Sequence, residues 1–160
     1  MPHSPPPHSD PRPGAGGNPV LRHHLCATQD AVCETLSLAV AELGKAGISR
    51  AKVTLIELVL AEVLNNIVEH AYTGQQSGQI SLRITRNGTL LWLDFCDQGH
   101  SMPAGSLPPF GAPNMDVPRA DLPEGGFGWY LLHLLSLKID YHRAGASNHL
   151  VISLDLDTLD

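Results

Sequence analysis

The sequence predicts a two-layer α/β sandwich, with a mixed, mostly antiparallel sheet covered by helices on one face. Three observations predict it. Residues 79–96 and 138–156 each read as a strand, a tight Gly-containing turn and a returning strand. Residues 28–45 and 50–72 carry apolar side chains at helical spacing. All 13 prolines lie in residues 1–19 or 103–123, so the rest of the chain is free to form regular structure. Hairpins and one-sided helices bury their apolar faces against each other as layers. The roughly 140 residues after the first proline cluster suit one domain.

Residues 1–19 are rich in Pro, Gly, Ser and His and read as a disordered tail, which leaves 20–160 as the domain. Residues 20–26 read as a short strand, in which His23 and His24 point to opposite faces and cannot share a ligand. Thr28 caps a helix to Lys45, with Val32, Leu36, Val40 and Leu43 as its stripe and Gly44 and Gly47 as its stop. Ser49 caps a longer helix, about 50–72. Its apolar positions cover more than one face, so it is buried on much of its circumference.

Residues 79–86 alternate apolar and polar, and Asn87-Gly88 turns the chain into a second strand ending at Asp97. That strand is apolar on both faces apart from Asp94, which places it inside the sheet. Residues 98–124 have no periodicity, and a loop this long in a small domain is usually a lid or a binding loop. A short apolar helix, about 128–137, and strands at 138–144 and 148–156 finish the chain.

Ten Lys and Arg face 16 Asp and Glu, and the basic residues never cluster, which argues against a nucleic-acid binder. No apolar run approaches a membrane span, and the N-terminus lacks the features of a signal peptide. Three scattered cysteines without C-x-x-C suggest reduced thiols and a cytoplasmic protein. At least two of them are expected in the core. The Walker, dinucleotide-fold, G-x-S-x-G and H-E-x-x-H patterns are all missing.

Three small motifs remain. Glu62, Asn66 and His70 lie at i, i+4, i+8 on the largely apolar long helix, flanked by Asn65 and Glu69. Such a stripe is either a solvent face or a functional one. A buried carboxylate and carboxamide cost free energy unless paired or bound to an ion, and an asparagine oxygen suits a hard cation that shares phosphate oxygens. Asp97-Gln98-Gly99 ends an apolar strand where the loop begins. It is an ordinary turn or an acceptor for an exocyclic amine. Gly125-Gly126-Phe127-Gly128 runs into a helix, where exposed backbone N–H groups favour an anion.

In this order and spacing the motifs resemble the N, G1 and G2 boxes of the GHKL ATPase superfamily. The stretch Glu62-Val-Leu-Asn-Asn66-Ile-Val-Glu-His70-Ala-Tyr72 is similar to the signature of the bacterial anti-sigma factor serine/threonine kinase family, a stand-alone form of the histidine-kinase-like ATPase domain. Asp140-Tyr141-x-Arg143 and Asn148-x-Leu150 resemble that family's final hairpin. The resemblance implies the Bergerat (GHKL) ATP-binding fold with ATP and Mg²⁺ in the crevice and residues about 100–124 as the ATP lid. It implies a kinase that phosphorylates a STAS-type anti-anti-sigma protein, sequesters a sigma factor or another switched target, and works as a homodimer; that it contacts neither nucleic acid nor membrane is the expectation from charge and hydropathy. By position, Glu62 would be the general base, Asn66 the Mg²⁺ ligand, and Asp97 the reader of the adenine amine with Gly99 beside it. Gly126 and Gly128 would line the phosphates, and His70 would be structural.

The sequence departs from the family at Ser101, which stands for a second glycine, and at Trp129, Tyr130 and His133. A nucleotide-binding partner-switch module without kinase activity is the alternative reading. A detached histidine-kinase domain shares the boxes, but no helical segment with an acceptor histidine is evident.

Overall fold

The structure, a computed structural model, describes residues 16–72, 78–102, 105, 107 and 126–159. Most of the expected tail and nearly all of the expected lid fall outside the described residues. The elements are β1 (Asn18–Cys26), α1 (Gln29–Lys45), α2 (Arg50–Asn66), β2 (Gln79–Asn87), β3 (Leu90–Asp97), α3 (Gly126–Leu135), β4 (Lys138–Ala144) and β5 (Ser147–Asp155). A single π-helical turn, Ile67–Ala71, continues α2. The strands form one sheet in the order β1-β2-β3-β5-β4, antiparallel at every junction. The fold is thus the α/β GHKL-like sandwich, with a five-stranded antiparallel sheet and three α-helices among the described residues.

β3 lies at the centre of the sheet, as its apolar composition requires. Its inward residues Leu91, Leu93 and Phe95 meet Ile152 and Leu154 of β5 and Leu82 and Ile84 of β2 in one core. α2 adds Val53, Ile56, Leu60, Val63 and Leu64, each at most 5% exposed. Burying a large aliphatic side chain is worth about 1.5–3 kcal/mol, so this helix is anchored along most of its length.

β1 begins at Asn18, inside the expected tail. Pro19 is tolerated because β1 is an edge strand, and the pairing register slips between Pro19 and Leu21. Thr28 caps α1 by accepting the Ala31 N–H at 3.2 Å. Arg86 closes the other end by donating to the Ala46 carbonyl at 2.6 Å. Ser49 stands at the start of α2, but its hydroxyl makes no capping bond. The first hairpin turns one residue later than expected: Asn87 pairs with Leu90, and Gly88 takes φ 61°.

The expected core cysteines are not there. Cys26 and Cys33 are exposed and Cys96 is half-buried. Apolar neighbours do not decide a residue's face. Cys33 follows core Val32 onto the outer side of α1, and Cys96 alternates with inward Phe95 and Asp97. No helix among the described residues is long and apolar enough to cross a membrane.

Candidate functional site

The end of α2, the end of β3 and the start of α3 surround a cavity of about 410 Å³. Its wall is mostly apolar, with Val63, Ile67, Met102, Trp129 and Leu150 among the lining. A few polar groups converge on it: Asn66, His70, Asp97, His100, Ser101 and Asn148. An apolar concavity of this size with few polar groups is the usual form of a small-molecule site.

Asn66 is the last α-helical residue before the π-turn, and its side chain makes no capping bond. Asn66 is among the residues that line the cavity. π-turns often mark functional sites. Here the turn delivers the Ala71 carbonyl to the His100 N–H at 2.6 Å. His70 also borders the cavity, but its side chain is 72% exposed. Asn65 is different: its buried Oδ1 has no hydrogen-bond partner among the described residues.

Asp97 is buried at 6% exposure. Its Oδ1 accepts from the Gly99 N–H at 2.9 Å and from Asn148 Nδ2 at 2.8 Å. Gly99 is required by close approach, because a Cβ there would fall 2.6 Å from both the carbonyl carbon and the Cβ of Ala71. Tyr72 supports the same corner. Its hydroxyl donates to the Gln79 carbonyl at 2.7 Å and accepts the Gln98 N–H at 2.9 Å. Burial, more than any neighbour, raises the phenol's pKa above its ordinary value, so it stays a neutral donor. Glycine at 78 leaves room for the Tyr72 ring.

Glu62 sits one turn before Asn66 and lies outside the lining of the cavity. Its carboxylate presses on Gly128, where a Cβ would stand 3.0 Å from Glu62 Cδ. Gly126 is the first residue of α3, so both predicted glycines belong to its opening turn. The structure therefore brings Asn66 and Asp97 to one cavity and Glu62 to the opening turn of α3. Gly99 acts from behind, by letting Asp97's loop meet the π-turn. His133, on α3, is half-buried, and burial pushes its imidazole pKa down.

Sequence reasoning assigned no role to Tyr141, Arg143 and Asn148. Asn148 is 5% exposed and binds Asp97 directly, and its own Oδ1 accepts from Tyr141 at 2.7 Å and Arg143 at 2.9 Å. The sequence does hold a signal. Asn148 opens an inward row whose other members are Leu150, Ile152 and Leu154. A carboxamide in such a row must find partners.

The sequence profile of the histidine kinase-like ATPase domain matches residues 25–154. No curated protein sequence matches significantly. Among solved structures, the chain is similar to the RsbU and RsbW domains of Rv1364c from Mycobacterium tuberculosis. The TM-score is 0.56 at 14% identity, covering 84% of this chain and 32% of that one. It is also similar to the histidine kinase domain of the blue-light activated histidine kinase EL346 from Erythrobacter litoralis. There the TM-score is 0.50 at 18% identity, covering 83% of this chain and 65% of that one. The chain spans about a third of the length of the mycobacterial chain. At these identities the likeness is one of fold.

Proposed function

The chain belongs to the histidine kinase-like ATPase domain family, whose members are ATP-binding domains, and from that premise we propose that it is a serine/threonine protein kinase of the anti-sigma type. In this reading it uses Mg·ATP to phosphorylate a STAS-type antagonist in a partner-switching pathway. The observation that carries the reading is the arrangement of four groups around the end of α2: Asp97 and Asn66 at the cavity, and Glu62 against Gly128 at the opening turn of α3.

Each group has a task that its position suits. Asp97 accepts a hydrogen bond from the adenine amine. The backbone at Gly126 and Gly128 offers first-turn N–H groups to phosphate oxygens. Asn66 contributes a carbonyl oxygen to Mg²⁺. Held there, Mg²⁺ would supply neutralisation of phosphate charge. Among the described residues no three His, Cys, Asp or Glu side chains gather to hold a metal by themselves. Glu62 takes the proton of the partner's hydroxyl as its oxygen bonds to the γ-phosphorus. The bond from that phosphorus to the bridging oxygen breaks, and ADP leaves. We further propose that the protein acts as a cytoplasmic homodimer and sequesters a sigma factor or another target.

The fold likeness to a chain containing an RsbW domain supports this reading. One observation favours the alternative, a nucleotide-binding switch without transfer activity: Glu62 does not line the cavity. Single-turnover transfer from radiolabelled ATP to a purified STAS partner separates the two. Transfer that is lost in Glu62→Gln and Asn66→Ala is expected. No transfer to the genuine partner, with ATP binding intact, would leave the switch module.

A further inference from the structure

Asp97 Oδ1 already holds two donors, the Gly99 N–H at 2.9 Å and Asn148 Nδ2 at 2.8 Å. A carboxylate oxygen offers about two lone-pair sites. Oδ1 is therefore filled from inside the protein, and Oδ2 is the oxygen left to the cavity that Asp97 borders.

The Asn148 amide can face only one way. Its Oδ1 accepts from Arg143 Nη1 at 2.9 Å and from the Tyr141 hydroxyl at 2.7 Å. A guanidinium has no acceptor, so the amide oxygen must lie on that side. Nδ2 then meets three acceptors: Asp97 Oδ1, the His100 carbonyl at 2.9 Å and the Gly99 carbonyl at 3.2 Å. A flipped amide would set oxygen against all three. Arg143 strengthens the arrangement by donating to the Gly99 carbonyl at 2.9 Å, and the Tyr141 hydroxyl accepts the Met102 N–H at 3.0 Å. The cluster is one-directional: Arg143 Nη1, the Tyr141 hydroxyl and Asn148 Nδ2 each meet an acceptor, and the rotation of the Asp97 carboxylate is fixed at its end.

We propose that Asn148, locked by Arg143, is the positioning residue that sets base selectivity at this site. It holds Asp97 so that Oδ2 meets an exocyclic amine and opposes a carbonyl at the same place. The inference rests on the adenine-nucleotide reading above. A 6-amino purine donates to Oδ2. A 6-oxo purine brings an acceptor against an acceptor. A carboxylate held in place cannot relieve that mismatch, whereas one free to turn can do so by swinging aside or admitting water.

The test is calorimetric binding of Mg·ATP and Mg·ITP to the full chain, as wild type, Asn148→Ala and Arg143→Gln. ITP differs from ATP at one edge of the purine, where a 6-oxo group and an N1–H replace the 6-amino group and the N1 acceptor. Wild type is expected to prefer ATP by about 100-fold. Asn148→Ala should narrow that ratio by about tenfold or more, and Arg143→Gln should narrow it in the same direction. A purely structural role would weaken both nucleotides together, and an unchanged ratio in Asn148→Ala overturns the proposal. If Asn148→Ala does not fold, Tyr141→Phe takes its place, since it removes one of the two donors to the amide oxygen and keeps the ring. A wild type that binds neither nucleotide overturns the adenine reading and this inference with it. A wild type that prefers ATP while the variants keep that preference overturns this inference alone.

Discussion

Gly128→Ala tests the placement of the proposed base without removing it. A Cβ at 128 would stand 3.0 Å from Glu62 Cδ and overlap Oε2. Carbon atoms in contact ordinarily sit about 3.5–4.0 Å apart and Oε2 is the nearer atom, so the carboxylate must retreat by about 1 Å. The obstacle is the far end of a flexible side chain, and an off-rotamer adjustment costs about 0.5–1.5 kcal/mol. Alanine in place of glycine within a helix returns about 0.5–1 kcal/mol. The two nearly cancel, so the melting temperature should move by no more than about 4 °C. Catalysis is less forgiving, because a displacement near 1 Å costs about tenfold to 100-fold in rate.

The assay is single-turnover phosphoryl transfer beside a thermal melt, for Gly128→Ala, Glu62→Gln and the double variant. If the glycine acts through Glu62, the double variant should transfer no more slowly than Glu62→Gln alone. Transfer at the wild-type rate in Gly128→Ala would refute the reasoning. So would fully additive losses, because the glycine would then act on the phosphates and not through the base.

Gly99→Ala should behave in the opposite way. Its Cβ would strike the Ala71 backbone, which cannot rotate aside, so a loss of about 1–3 kcal/mol in denaturant unfolding is expected. Tyr72→Phe removes two hydrogen bonds of the Tyr72 hydroxyl and should cost about 1–3 kcal/mol at neutral pH. The folded phenol's pKa is raised, so above about pH 10 the unfolded chain loses its proton first and wild-type stability falls as pH rises further. Phe at 72 should flatten that alkaline decline in urea melts. Iodoacetamide followed by mass spectrometry should label exposed Cys26 and Cys33 well before Cys96, whose thiol pKa is raised first by burial and then by Asp97 and Asp94. Chelating Mg²⁺ should weaken ATP binding by about tenfold or more, since among the described residues no Lys or Arg lines the cavity and the chain's net charge is −6.

Much of this was legible in the sequence because it rests on periodicity and turn chemistry. Alternation and Asn87-Gly88 gave the central hairpin, and the apolar character of Leu90–Cys96 gave its central place. What failed depends on direction in space. Cys33 and Cys96 have apolar neighbours yet point away from the core, which composition cannot reveal. The π-turn after Asn66 has no local signature of its own. It accompanies the meeting of Ala71 with His100, a contact between segments distant in sequence. The contact of Asn148 with Asp97 was hidden for the same reason, since the two meet only when β3 and β5 pair. Assigning roles to Glu62, Asn66 and Asp97 required the family resemblance, because each motif alone also has an ordinary structural reading.

The glycines explain how these scattered pieces come into register. At 78, 99 and 128 the backbone has no need of a left-handed conformation, because among the described residues positive φ falls at glycines 47, 88, 105 and 145. What each of the three requires is room. Gly78 admits the Tyr72 ring, Gly99 meets the Ala71 carbonyl, and Gly128 meets the Glu62 carboxylate. All three partners belong to one continuous segment, from Glu62 on α2 through the π-turn to Tyr72. The start of β2, the end of β3 and the start of α3 are therefore each set against the same helix by a missing Cβ. A helix packed on the core by Ile56, Leu60, Val63 and Leu64 is a rigid reference. Positioning of this kind is what phosphoryl transfer chiefly asks of a protein, and here one helix carries the proposed base and metal ligand while fixing the distance to the proposed base-reading carboxylate.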